Sequence, residues 1–345
     1  MMERVTDGLL ERFDRGPVIC AEGYLFELER RGYVQAGAFV PEVVLDHPEV
    51  VEELHREFVH AGSDVVEAFT YYGHREKLRV IGKEDMLEPL NRQALSIAAT
   101  VARDTGTLLA GNLCNTNVYE PGSAAERSVR SAFAEQVAWA AEAGVDFIIA
   151  ETFSWAGEAL LALEAIRAAG LPAVVTYAVH RDGTMREGIS PADACRRAEQ
   201  AGADVVGLNC IRGPRTMLPL LAPIRAAVSC PVAALPVPYR TTEEQPSMQS
   251  LRDPGRGGAQ AFPTALEPFT CTRHELGEFT AAALDAGALY LGICCGAGPQ
   301  HVRAMAEAAG KAPPASRYSP DMSRHSFLGS APGITDSYRE YAPNL

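Results

Sequence analysis

Five helical stretches of this chain end in the same dipeptide, Ala-Gly, at Gly62, Gly144, Gly170, Gly202 and Gly287, and a short apolar run follows each. A glycine just past a helix end adopts the left-handed conformation that caps the last carbonyls. The joint is a helix-to-strand turn, and its repetition constrains the fold more than any other feature. Around it, β-rich runs alternate with amphipathic helical stretches. The candidate strands are Val18–Cys20, Asp64–Phe69, Thr107–Leu113, Asp146–Glu151, Ala173–Tyr177, Asp204–Cys210, Val232–Leu235 and Ala288–Ile293. The candidate helices include His47–Ala61, Pro89–Asp104, Arg127–Ala143, Ala156–Ala169, Pro191–Ala201, Met217–Val228, Arg273–Ala286 and Pro299–Ala309. Eight such strands predict an α/β fold, a (β/α)8 TIM barrel; the competing arrangement is a doubly wound open sheet with extra strands.

Two segments break the rhythm. The stretch 236–268 follows the seventh strand, is rich in Pro, Gly, Gln and Arg, and is expected to cover the barrel mouth. The tail, 311–345, carries Tyr318, Phe327, Tyr338 and Tyr341 among Pro, Ser and Gly. Free tails are usually disordered, so these aromatics predict docking, on a second subunit of a homo-oligomer. The expected division is a barrel over 1–310 and a tail over 311–345. A chain of 345 residues accommodates one large barrel or two average domains, and a hydrophobic fraction of 47% is ample for the core. The formal net charge of −13 repels phosphate backbones, so no nucleic-acid partner is expected. No apolar run reaches the roughly 18 residues of a membrane helix, so no membrane partner is expected. The segment Met1 to Pro17 carries Glu3, Asp7, Glu11 and Asp14 and lacks the basic start and apolar run of a secretory signal, so a cytoplasmic location is expected.

In a reducing compartment, eight cysteines are either small buried residues or metal ligands. Burial is the expected role of Cys114, Cys195, Cys230 and Cys271. Cys210 and the pair Cys294–Cys295 differ, because they close the sixth and eighth candidate strands. In a barrel the C-terminal strand ends converge on the active-site face. Adjacent cysteines close a disulfide on each other only with strain, whereas zinc accepts three protein ligands and keeps an open position for catalysis. Gly296 permits the sharp turn that would aim both sulfurs at one ion.

Gly-Leu-Asn-Cys210 and Gly-Ile-Cys294-Cys295-Gly resemble the zinc signature of the homocysteine S-methyltransferase family, in particular its betaine-using members. The likeness runs from about Val18 to Ala315 and includes Leu28–Val34, Leu54–Phe58, Phe69-Thr70-Tyr71-Tyr72, Phe147–Glu151 and Leu266-Glu267-Pro268, with a fainter echo at Asp321-Met322. The resemblance implies a (β/α)8 barrel, a Zn2+ held by Cys210, Cys294 and Cys295, and methyl transfer from an onium donor to the thiol of homocysteine, forming methionine. It assigns Glu151 to homocysteine binding, as the partner of the ammonium group. The chemistry of the residues agrees. A free thiol has a pKa near ~8.5 and is a weak nucleophile; zinc deprotonates a coordinating thiol. A cationic donor suits a thiolate, because the two charges annihilate on reaction.

The chain departs from the family at several positions. The strand-one aspartate position is Ala21, with Glu22 beside it and able to reach the same amino group. In strand two the family threonine position is Ala68, next to Glu67. The onium cage of the betaine enzymes is altered: the tryptophan position is Phe39, one tyrosine is kept as Tyr72 with Tyr71 beside it, and the other is Thr152. Trp155 is a candidate substitute, and His325 is a loose counterpart of the family's tail histidine. These changes leave open a different donor (S-methylmethionine, dimethylsulfoniopropionate or a larger betaine) and a non-catalytic zinc-binding homologue. His47, His55 and His60 are expected to be surface or helix-packing residues; His180 and His301 are candidates for the mouth, with an unremarkable role favoured; Arg212 is expected to shape the loop after strand six or meet a carboxylate.

Overall fold

The computed structural model describes residues 8–345; the opening residues, with Glu3 and Asp7, lie outside the described part. The five Ala-Gly joints have φ of 116° at Gly62, 73° at Gly144 and Gly170, 99° at Gly202 and 86° at Gly287, as helix caps followed by a reversal require. Two residues past three of these glycines stands an aspartate with a repeated task. Asp64 Oδ2 accepts from Ile19 N at 2.7 Å, Asp146 Oδ2 from Leu109 N at 2.7 Å and Asp204 Oδ2 from Ala173 N at 2.8 Å. Each joint thus fixes the foot of its own strand against the one before it.

Eight parallel strands follow: β1 Val18–Ala21, β2 Val65–Glu67, β3 Leu108–Cys114, β4 Phe147–Phe153, β5 Ala173–Tyr177, β6 Val205–Asn209, β7 Val232–Leu235 and β8 Ala288–Ile293. Each pairs with its sequence neighbours, and β1 closes on β8 with Val18 opposite Tyr290 and Ala21 opposite Ile293. The ring is a closed (β/α)8 barrel, not an open sheet. Its interior is filled by alternate strand residues, among them Val18, Val65, Leu108, Phe147, Ile149 and Tyr290, with Leu9 joining them from the short helix Leu9–Phe13. Phe147 and Tyr290 meet edge to face at 6.4 Å. Burying such side chains contributes roughly 1.5–3 kcal/mol each.

Most barrel helices match the sequence expectation within two residues, including Pro48–Ala61, Leu87–Thr105 and Ala156–Ala168. One does not. The expected helix Met217–Val228 is broken into Pro214–Met217, a 3-10 turn Leu218–Leu220 and Leu221–Ala227. Pro219 and Pro223 bring no N–H to a helical ladder, so a continuous helix is not available there. The long segment after β7 reaches the mouth, where Met248 and Phe262 line a cavity, and it holds a small antiparallel pair, Arg252–Asp253 with Ala259–Gln260. The start of the tail packs on the barrel through Lys311 Nζ, 2.8 Å from Asp64, and buried Ala315. Its remainder clusters Phe327 with Tyr338 and Tyr341 at 5.0 and 6.2 Å, leaving the two tyrosines half exposed. No helix among the described residues is long and apolar enough to cross a membrane.

Candidate active site

The site begins where β6 and β8 run out. After Asn209 the backbone turns into the left-handed region at Cys210 and Ile211, with φ of 56° and 60°. Cys210 N donates to Leu235 O at 2.8 Å and Cys294 N to Pro236 O at 2.9 Å, so both strand ends are anchored on the segment leaving β7. Gly296, with φ of 96°, completes the turn after the cysteine pair; a Cβ there would lie 2.0 Å from Tyr239 Oη. Arg30 braces this turn, donating to Gly296 O at 3.0 Å and to Tyr239 Oη at 2.7 Å.

These turns bring the sulfurs of Cys210, Cys294 and Cys295 within 4.8 Å of one another, with 3.9 Å between Cys294 and Cys295. All three are buried. Hydrogen bonds from Cys294 and Cys295 pull the Cys210 thiol well below the usual range, while burial pushes Cys294 up and the Cys210 hydrogen bond pushes Cys295 up. Zinc–sulfur bonds of about 2.3 Å in a tetrahedron place sulfurs about 3.8 Å apart, so the donor set fits a zinc ion with an open position.

On one side of the sulfurs lies a small acidic well. Glu22 follows β1, Glu67 ends β2 and Glu151 lies near the end of β4, all three buried. Asn112, from β3, donates to Glu67 Oε1 at 2.6 Å and to Glu151 Oε1 at 2.7 Å. Asn209 donates to Glu151 Oε2 at 2.5 Å and to Thr152 Oγ1 at 2.9 Å, and its Oδ1 accepts from Thr152 N at 2.9 Å. Thr152 Oγ1 donates to Glu151 Oε2 at 3.0 Å. Glu22 Oε2 accepts from Asn209 at 3.4 Å, while Glu22 Oε1, Tyr24 Oη and Asn112 Oδ1 are buried with no partner. Burial, then mutual repulsion, raises Glu22 and Glu67; burial, then Cys210, raises Glu151. No Lys, Arg or His lines the well.

On the other side opens a cavity of about 710 Å3. Cys210 and Cys295 line it together with Phe39, Tyr71, Tyr72 and Thr152. Tyr71 and Tyr72 are 4.4 Å apart, centroid to centroid, and Phe39 packs on Phe26 at 5.6 Å. One face of Tyr72 is already taken, by Lys77 Nζ 4.0 Å from the ring centroid. Tyr72 N donates to Cys114 Sγ at 3.2 Å, which gives that buried cysteine its role. Among the described residues six non-glycines have positive φ: Phe39, Tyr72, Asn117, Thr152, Cys210 and Ile211. Every one lines this cavity. Strain of this kind costs about 1–3 kcal/mol per residue and collects at functional sites.

The nine residues singled out in the sequence, Glu22, Phe39, Tyr71, Tyr72, Glu151, Thr152, Cys210, Cys294 and Cys295, are all placed around these two chambers. Sequence reasoning missed Asn112 and Asn209, whose inward aim depends on barrel register, and gave Glu67 no role. His180, a candidate for the mouth with an unremarkable role favoured, lines the cavity and shares a 2.8 Å hydrogen bond with Ser154. Arg212 is committed to Val179 O and His180 O at 2.9 and 2.6 Å, which favours loop shaping over carboxylate binding. His325 lies in a turn of the tail, its Nδ1 accepting from Phe327 N and Leu328 N at 3.2 and 3.1 Å. His301 caps Gly298 N at 3.1 Å, and His55 is buried against Tyr24 at 4.8 Å.

A closed barrel whose mouth gathers three thiols, a carboxylate well and a strained cavity defines an enzyme of thiol chemistry. The pattern of the homocysteine S-methyltransferase family matches residues 20–309, and the chain belongs to that family; it is a methyltransferase. A betaine–homocysteine S-methyltransferase of Danio rerio is 37% identical over 306 residues, 87% of this chain and 75% of that protein. An S-methylmethionine–homocysteine S-methyltransferase of Mus musculus is 33% identical over 313 residues, 88% of this chain and 82% of that one. Among solved structures, the homocysteine methyltransferase MmuM of Escherichia coli in its metallated form shares the fold, with a TM-score of 0.68 at 17% identity over 86% of this chain and 98% of that one.

Proposed function

We propose that the protein transfers a methyl group from an onium donor to the thiol of homocysteine, giving methionine, with zinc held by Cys210, Cys294 and Cys295. The observation that carries this reading is the placement of three buried sulfurs between an acidic well and a strained aromatic cavity. Zinc bound to the three thiolates would supply Lewis acidity that keeps the acceptor thiol deprotonated at neutral pH. The chain's own residues do the rest. Glu22 and Glu151 receive the acceptor's ammonium group, and Glu22 Oε1 gains the partner it lacks. Asn112 and Asn209 hold the Glu151 carboxylate in one orientation. Tyr71, Tyr72 and Phe39 face the onium centre, whose positive charge ring faces attract. In the reaction a sulfur–carbon bond forms, the bond from methyl to the onium atom breaks, and its electron pair leaves with the neutral donor remnant. Burial of the sulfurs excludes water from that step.

Thr152 in place of a ring, and Lys77 on one face of Tyr72, weaken the cage for a small quaternary ammonium. A donor other than glycine betaine is therefore the second reading: S-methylmethionine, dimethylsulfoniopropionate or a larger betaine. The test is methionine formation from homocysteine with each of these donors. We expect methionine with at least one, lost on chelation and restored by zinc. No methionine from any of them would overturn the proposal.

A further inference from the structure

Among the residues lining the large cavity, Arg186 is a cation with no carboxylate within ion-pair distance among the described residues, although Asp182 and Glu158 line the same cavity. Trp155 follows β4, and Arg186 lies between β5 and the helix Pro191–Gln200, in a segment pinned to the end of β4 by Arg186 N donating to Ser154 O at 2.9 Å. The Arg186 guanidinium sits 4.8 Å from the centroid of the Trp155 ring. Both side chains line the cavity that the sulfurs open into. Glu158 lines it too and feels the Arg186 charge, but its Oε1 is held by Thr116 N and Oγ1 at 2.7 and 2.6 Å and it makes no ion pair with the guanidinium. Arginines elsewhere pair with carboxylates, as Arg240 does with Glu275 and Arg75 with Glu135. Arg186 makes no ion pair with any carboxylate among the described residues; its contact is the indole face. A guanidinium laid flat on an aromatic ring keeps its N–H edge free, and that edge matches a carboxylate in two-pronged fashion.

Glycine betaine carries its carboxylate one methylene from its ammonium, which confines both charges to one subsite, whereas here the rings Phe39, Tyr71 and Tyr72 and the Arg186–Trp155 pair are separate parts of the lining. A cavity of about 710 Å3 holds a much larger molecule, and Thr152 adds room by standing where the resemblance places a ring. We infer that Arg186, supported by Trp155, is a carboxylate subsite for a methyl donor whose carboxylate stands several atoms from its onium centre: a betaine longer than glycine betaine. The inference rests on the onium-donor reading and narrows it. During turnover the N–CH3 bond of such a donor breaks and nitrogen keeps the electron pair, leaving a tertiary amine carboxylate. The acceptor sulfur gains the methyl group, having given up its proton.

The probes are γ-butyrobetaine, its methyl ester (the same onium without the negative charge) and glycine betaine. Methionine formation is read as kcat and KM, and binding is read separately by titration calorimetry. The wild-type protein is expected to favour γ-butyrobetaine over both others by about tenfold or more in kcat/KM. Arg186→Ala is expected to raise KM for γ-butyrobetaine about 10- to 100-fold with kcat little changed, and to leave the ester unaffected. Arg186→Lys recovers part of the loss, since a point charge replaces the fork. Equal use of γ-butyrobetaine and its ester, or an equal effect of Arg186→Ala on both, overturns the subsite. If no onium donor yields methionine, the function reading fails, and calorimetry still decides the subsite. Binding of γ-butyrobetaine that Arg186→Ala removes upholds it; absence of binding to wild type overturns it.

Discussion

The two chambers that meet at the sulfurs are built in opposite ways. The acidic well is made by the barrel itself: Glu22, Glu67, Asn112, Glu151 and Asn209 all come from strands or the residue after one, and cross-barrel hydrogen bonds of 2.5–3.4 Å tie them together. The wide cavity is made mainly by what lies beyond the strands: the Phe39 and Tyr72 turns, the Arg186 segment and the stretch that carries Met248 and Phe262. Strand positions are fixed by the ladder on both sides, whereas connecting segments vary with little cost to the fold. The contrast assigns a fixed recognition task to the well and an adjustable one to the cavity. Under the proposed function, the acceptor amino acid is the fixed partner and the donor the adjustable one.

Three changes would break or sharpen this comparison. The largest effect is expected in the well. Glu151→Ala removes the carboxylate that three neighbours orient, and losing one member of a buried, hydrogen-bonded charge pair costs about 2–5 kcal/mol. The KM for homocysteine should rise about 100-fold with the melting curve little altered; an unchanged KM would detach Glu151 from the acceptor.

The next effect compares the supports of the two chambers. His55 is buried against Tyr24 of the well, and His74 lies 6.0 Å from Tyr72 of the cavity. Burial lowers His55 to about 3 and His74 to about 4, from 6.5. Both are neutral when folded, and the unfolded chain takes up protons below pH 6.5. Their contribution is therefore intact above that pH and is lost as pH falls toward 4 and 3, by about 1.4 kcal/mol per pH unit for each histidine. Urea unfolding of His55→Phe between pH 6.5 and 4 should show a pH slope shallower than wild type by about that amount. An identical slope would mean that His55 is already charged in the folded protein.

The smallest effect touches both chambers at one residue. Thr152→Tyr adds a ring to the cavity and removes the hydroxyl that donates to Glu151. Use of glycine betaine should improve about three- to tenfold, and the KM for homocysteine should rise by no more than about tenfold, as loss of one hydrogen bond allows. No change in glycine betaine use would discard the altered cage as the reason for a different donor.

Much of this was legible in the sequence, for local reasons. The Ala-Gly joints mark helix ends and strand starts locally, so the alternation behind the barrel could be read directly, while the aspartates behind them act by tying each strand to the one before. The cysteines could be read because strand ends of a barrel share one face. Register was the part that could not be read. Whether Asn112 or Asn209 points inward, and which carboxylates it bridges, depends on the stagger between strands far apart in sequence. The broken helix after β6 was legible in Pro219 and Pro223, but periodicity outweighed them. Arg186 sits in a connecting segment and Lys77 on the short helix Arg75–Ile81, both placed at the mouth only by tertiary packing, and neither belongs to a motif.

The central claim is that three sulfurs from two distant strand ends grip one ion. Zinc per chain should be measured in the purified wild type and in Cys210→Ala, Cys294→Ala and Cys295→Ala, with Cys230→Ala as a control outside the site. The account predicts stoichiometric zinc in wild type and control, and loss of zinc together with methionine formation in each of the other three. Full zinc retained in any one of those three would contradict it.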